Sequence, residues 1–325
     1  MKEWWSRLEV TTIKKKWYKA IGIIVGFLFF GYLLIKVYQS ASIIDIGRLL
    51  QNIRFGMLLM SILILAIQIF FSAVLWSIIL KNFDTKVRFS DCMVAYNLSL
   101  LAKYLPGGIW NHVGRVVYLQ RKGVSLAVTS SSIIYEFLFL TVTSATIGGF
   151  LLLEYSVRNA WIIVLIVMAM LLFICWPNVV IDSMNKILVL FRRRKISERL
   201  SRKNSLIIFL LFILSWAIYG LAFLVLIKAM NFEYSENFLH LVAILAGSWL
   251  AGYISPTPGG IGVREGLMAY FFERTSIAFF SSFISFFSRV WFICAEILTL
   301  TFFFMLLGLK NLWRRRCRNE QRLPT

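Results

Sequence analysis

Residues 57–80 read MLLMSILILAIQIFFSAVLWSIIL, without a single charged residue. Apolar side chains cover every face of a helix drawn through them, so the segment belongs in lipid or in the middle of a very large core. At 1.5 Å per residue, about twenty residues cross the hydrocarbon of a bilayer, and this run has residues to spare. Composition decides for the membrane. Hydrophobic residues make up 59% of the 325 and charged residues only 15%, too little polar surface for a soluble globule of this size.

Outward from that run, comparable ones occur at about 19–38, 125–153, 160–180, 205–229 and 277–309, giving six full spans. The first begins near Ala20 after a basic stretch and has no small-residue cleavage site, so it reads as a retained span and not as a signal peptide. Two more segments, 90–120 and 238–275, are apolar but broken by proline and glycine. The expectation is one integral membrane domain over 1–325, with a basic loop at 191–204.

The net charge of +20 sits beside the apolar runs: KKK at 14–16, RRRK at 192–195, RRR at 314–316. That is the pattern of cytoplasmic membrane flanks, which attract anionic lipids, and it argues against nucleic acid as the partner. Counting Lys and Arg places both termini, the 81–88 loop and the 191–204 loop on the cytoplasmic side of a prokaryotic plasma membrane. The parity then forces a result. Segment 90–120 must begin and end inside, and segment 238–275 must begin and end outside. The fold class expected is an all-α polytopic membrane protein: six spans plus two oppositely oriented broken or re-entrant helical hairpins, forming an inverted repeat.

The broken segments share a motif. LAKYLPGGIWNHVGR spans Leu101–Arg115 and AGYISPTPGGIGVRE spans Ala251–Glu265. In each, proline ends a helix, and paired glycines (Gly107 and Gly108, Gly259 and Gly260) allow a tight turn and close backbone approach. An arginine follows, Arg115 or Arg264, where it and the free N–H groups of the next helix could cradle an anion. Asn111 and Glu265 are further candidates for contact with a head group, whereas His112 is expected as a structural hydrogen-bond donor. Glu136, Arg289 and Glu296 are ionisable residues inside apolar runs and form the candidate intramembrane polar network, with Glu265 a candidate partner for Arg289. Ser131, Ser132 and Tyr135 flank Glu136 and suggest a polar lining toward the bundle interior. The four cysteines are scattered and the two histidines isolated, so no metal site, cofactor or catalytic constellation is expected.

The stretches NLSLLAKYLPGGIWNHVGRVVYLQRKGVS, 97–125, and SPTPGGIGVREG, 255–266, resemble the membrane domain of lysylphosphatidylglycerol synthases, the flippase-like family. The resemblance extends over nearly the whole chain. It implies lipid handling, since in that family the domain translocates aminoacylated phosphatidylglycerol between leaflets beside a cytosolic synthase domain. The sequence ends at Thr325 without such a domain, so lysyl transfer is not expected of it. The leading expectation is translocation of an anionic phospholipid, an aminoacylated lipid or a lipid-linked glycan intermediate. The alternatives are a membrane-embedded transferase acting on polyprenyl-linked sugars, using Glu136, Glu265 or Glu296, and a scaffold for an envelope complex. A homodimer or an envelope-biosynthesis partner is compatible with each of these readings.

Overall fold

The computed structural model describes residues 51–83, 86–100, 110–155, 176–190, 199–232, 237–255, 262–273 and 278–320, with residues 102, 168, 195, 234, 257 and 260. The expected span at 19–38 and the body of the one at 160–180 lie outside them. Nine helices are described: α1 (Phe55–Phe83), α2 (Phe89–Leu100), α3 (Trp110–Gln120), α4 (Leu126–Tyr155), α5 (Val179–Leu190), α6 (Arg202–Ala229), α7 (Phe238–Ile254), α8 (Val263–Glu273) and α9 (Ala278–Glu320). Four of them, α1, α4, α6 and α9, are long and apolar enough to cross a membrane. Their outer faces are apolar too. Leu59, Leu63 and Ile67 of α1 and Leu210, Leu214 and Leu221 of α6 are exposed, as lipid-facing side chains must be.

Local chemistry sets the helix ends. Ser125 accepts the Val128 N–H at 3.2 Å to start α4, and Ser201 accepts the Asn204 N–H at 3.2 Å to start α6. Ser255 closes α7 in extended backbone, φ −66° and ψ 147°, as a residue before proline should. The helix α9 runs past the expected end at 309 and through the basic 314–316 cluster, because Lys and Arg are good helix formers and no proline intervenes.

α1 and α6 lie side by side and antiparallel. The Arg54 N–H donates to the Ala229 carbonyl at 2.8 Å at one end, and Asn204 donates to Asn82 at the other. Gln68 reaches Ser215 at 3.0 Å between these ends. Trp291 donates to Ser61 at 3.0 Å and Thr299 to the Ala66 carbonyl at 3.4 Å, so α9 runs parallel to α1. Trp216 donates to Thr143 at 3.1 Å and ties α6 to α4. Each such bond satisfies a polar group that hydrocarbon would otherwise strand.

The short helices form two hairpins. In the first, Asp91 at the start of α2 meets Lys122, just beyond α3, at 3.5 Å and Tyr118 at 3.4 Å. In the second, the Tyr234 ring lies 6.5 Å from that of His240 at the start of α7 and 6.1 Å from that of Phe272 at the end of α8. The first hairpin follows the C-terminal end of α1 and the second follows that of α6. Since α1 and α6 are antiparallel, the hairpins start from opposite ends of that pair. At 12, 11 and 11 residues, α2, α3 and α8 are each short of a full crossing, and α7, at 17, stands at the lower limit for one.

The second hairpin is locked to the first half by backbone contact between α4 and α7. A Cβ on Gly148 would lie 2.8 Å from the Gly247 Cα. Gly148→Val therefore has to push the helices apart, and it is expected to cost about 1–3 kcal/mol, read as a lower melting temperature in detergent.

Candidate functional site

Arg115 sits 4% exposed on α3. Its guanidinium donates to the Glu136 carboxylate of α4 and, through Nε, to the Ser99 hydroxyl of α2 at 3.1 Å. The same group lies over the rings of Tyr96 at 4.0 Å and Trp76 at 4.9 Å. Four helices thus meet at one guanidinium, which aromatic faces and a carboxylate surround.

Arg264, 7% exposed at the start of α8, is set differently. Its Nη2 donates to the Tyr219 hydroxyl of α6 at 2.5 Å, and its guanidinium lies 5.3 Å from the centre of the Phe292 ring. The neighbouring Glu265 turns elsewhere, as adjacent helical positions do. One carboxylate oxygen accepts the Gly262 N–H at 2.8 Å, and the other stands 3.7 Å from Arg289 of α9. The Gly262 contact satisfies one N–H at this helix start, where Glu265 reaches back to it.

The break itself is built by close contact. Gly260 has φ +69° and Gly262 φ +87°, backbone that glycine adopts without strain. A Cβ on Gly260 would meet the backbone of Gly252 at 2.9 Å, so the loop lies directly on α7. Gly107, Gly108 and Gly259 lie outside the described residues, as do Lys103 and Tyr104.

Glu296 and Arg289 are seven residues apart on α9, and Arg289 faces Glu265. The two clusters are joined by rings. Phe137 stacks on Tyr253 at 5.0 Å, Tyr253 on Trp249 at 4.9 Å, Trp249 meets Trp216 at 5.8 Å, and Trp216 meets Tyr219 at 6.1 Å.

Other expected residues fall outside these clusters. Asn111 accepts the His112 N–H at 2.9 Å, a contact local to the start of α3. His112 Nδ1 is buried and has no hydrogen-bond partner among the described residues. Ser131 and Ser132 bond back to Ala127 and Thr129, and Tyr135 donates to the Pro177 carbonyl at 2.8 Å, turned away from Arg115. Sequence reading missed Tyr96, Trp76, Ser99, Tyr219 and Phe292. A tyrosine in the middle of an apolar run, such as Tyr219, is itself a signal, since its hydroxyl must find a partner. Among the described residues, no group of three or more His, Cys, Asp and Glu is placed to hold a metal ion.

Residues 20–295 match the family described as lysylphosphatidylglycerol synthase TM region. No curated protein matches the chain.

Proposed function

We propose, from the premise that the chain belongs to the lysylphosphatidylglycerol synthase TM region family, that it moves an anionic lipid between leaflets of a bilayer. The lipid is a phospholipid, an aminoacylated lipid or a lipid-linked glycan intermediate, and its head group passes the two motif arginines. The observation that carries this reading is the burial of Arg115 and Arg264, each just beyond a Pro-Gly-Gly break and each on an eleven-residue helix. Cations inside a bilayer are costly and are retained where they meet charge.

An inverted repeat fits the element order. A long helix, two short ones and a long one occur twice, α1 to α4 and α6 to α9, with hairpins starting from opposite ends of α1 and α6. Such repeats place substrate sites where broken helices meet and offer the site to each side in turn. Arg115 and Arg264 have unequal roles. A phosphate that reached Arg115 would have to displace the Glu136 carboxylate. Arg264 is therefore the head-group ligand, Arg289 is its neighbour, and Arg115 is the anchor that holds the first hairpin. The acids of the transferase reading are engaged: Glu136 with Arg115, and Glu265 with Gly262 and Arg289.

The test is leaflet exchange of labelled lipids in vesicles containing the full chain. Arg264→Gln is expected to lower exchange at least ten-fold, with Arg264→Lys intermediate, since loss of a charge-assisted bond of about 1.5–3 kcal/mol corresponds to that range. Exchange equal to that of empty vesicles across phospholipids, aminoacylated lipids and lipid-linked sugars would sink the proposal and leave the scaffold reading.

A further inference from the structure

Away from both motifs, residues 176–182 and 199–202 enclose a cavity of about 350 Å³. Its wall is rigid. Asn178 donates to the Leu200 carbonyl at 3.0 Å and accepts the Leu200 N–H at 2.9 Å, while Tyr135 holds the Pro177 carbonyl from α4 at 2.8 Å. Beneath it, Leu200 and Ile181 are buried. Two arginines and one aspartate line it. Arg199 Nη2 meets Asp182 at 2.7 Å and Nη1 lies 3.4 Å from the same carboxylate, which leaves Nε for another acceptor. Arg202 lines the cavity, is exposed, and makes no hydrogen bond or ion pair with the described residues. Trp176 stands on the lip, 57% exposed.

The place of the cavity in the fold says what it meets. Arg202 is the first residue of the spanning helix α6, so the cavity lies at a membrane border, where an exposed indole is at home. Lys81, at the C-terminal end of α1, and Lys203, beside Arg202, flank the same border. A net positive, walled cavity at that level faces the phosphate layer of the adjoining leaflet.

We propose that this cavity is a second anion site, taking the phosphate of an anionic phospholipid or a soluble phosphate from the adjoining water. Arg202 and the Nε of Arg199 are its donors, Asp182 holds Arg199 in place, and Trp176 lies against the glycerol and acyl region. The site is separate from the Arg264 route.

The test uses the purified full chain in neutral detergent, with thermal-shift titration of short-chain phosphatidylglycerol, short-chain phosphatidylcholine and inorganic phosphate. Phosphatidylglycerol is expected to raise the melting temperature and phosphatidylcholine not to. Arg202→Gln weakens the apparent affinity about five-fold, the equivalent of one basic contact, and Arg202→Lys retains it. The pair Arg199→Gln with Asp182→Asn removes the second donor without stranding a carboxylate and weakens it again. The Arg202-dependent part persists in Arg264→Gln, which separates this cavity from the motif site. A rise with phosphatidylglycerol alone assigns the lipid, and an equal rise with inorganic phosphate assigns the soluble anion. Unchanged affinity for both in Arg202→Gln and in the Arg199→Gln, Asp182→Asn pair overturns the site.

Discussion

Glu136→Ala is expected to destabilise the protein by about 3–5 kcal/mol, the largest loss expected of any side chain in the first cluster. The reason is the charge it leaves behind. Arg115 is buried beneath the rings of Tyr96 and Trp76, and Ser99 offers it only a neutral oxygen. Without the carboxylate, the guanidinium must draw in water or leave its place, and either movement disturbs the packing of α3 against α4. Glu136→Gln keeps the shape but not the charge and should fall between native and alanine.

The double variant Arg115→Leu, Glu136→Leu separates stability from function. Replacing a buried ion pair by apolar groups is often neutral or stabilising, so this protein should melt within about 1 kcal/mol of native although either single change is costly. If Arg115 only anchors the first hairpin, lipid exchange survives in the double variant. If exchange is lost at native stability, Arg115 touches the head group and the unequal roles assigned to the two arginines are wrong. Melting temperature and exchange rate, measured on the same preparations, decide between them.

The sequence makes much of this legible because the membrane simplifies the physics. Spans must be long and apolar, so α1, α4, α6 and α9 are visible as runs. The pairing of Glu265 with Arg289 is readable for a similar reason: two ionisable groups in apolar runs need each other. Partners chosen by geometry are not readable. Nothing in the local sequence says that Arg115 takes Glu136 while Arg264 takes the phenol of Tyr219, forty-five residues away. The Glu265 cap on Gly262 is open to sequence reading, because the three-residue spacing of a capping box is present there.

Gly260→Ala is expected to cost about 2–5 kcal/mol, and the cost has two separable sources. The first is backbone: at φ +69° an L-residue other than glycine loses about 1–2 kcal/mol. The second is contact: its Cβ would lie 2.9 Å from Cα, C and O of Gly252, backbone atoms inside α7 that cannot rotate away, and such overpacking costs about 1–3 kcal/mol more. Gly123→Ala supplies the control. It has φ +85°, and a Cβ there would meet nothing within 4 Å, so it should lose only the backbone part. Gly252→Ala supplies the converse. It sits in helical backbone, where alanine gains about 1 kcal/mol of propensity, but its Cβ would lie 2.9 Å from the Arg264 Cβ. That variant should melt near native yet displace the guanidinium from Tyr219, and so lose lipid exchange out of proportion to its stability. If Gly260→Ala melts no lower than Gly123→Ala, the break does not rest on α7. If Gly252→Ala exchanges lipid at the native rate, the placement of Arg264 by that contact does not govern transport.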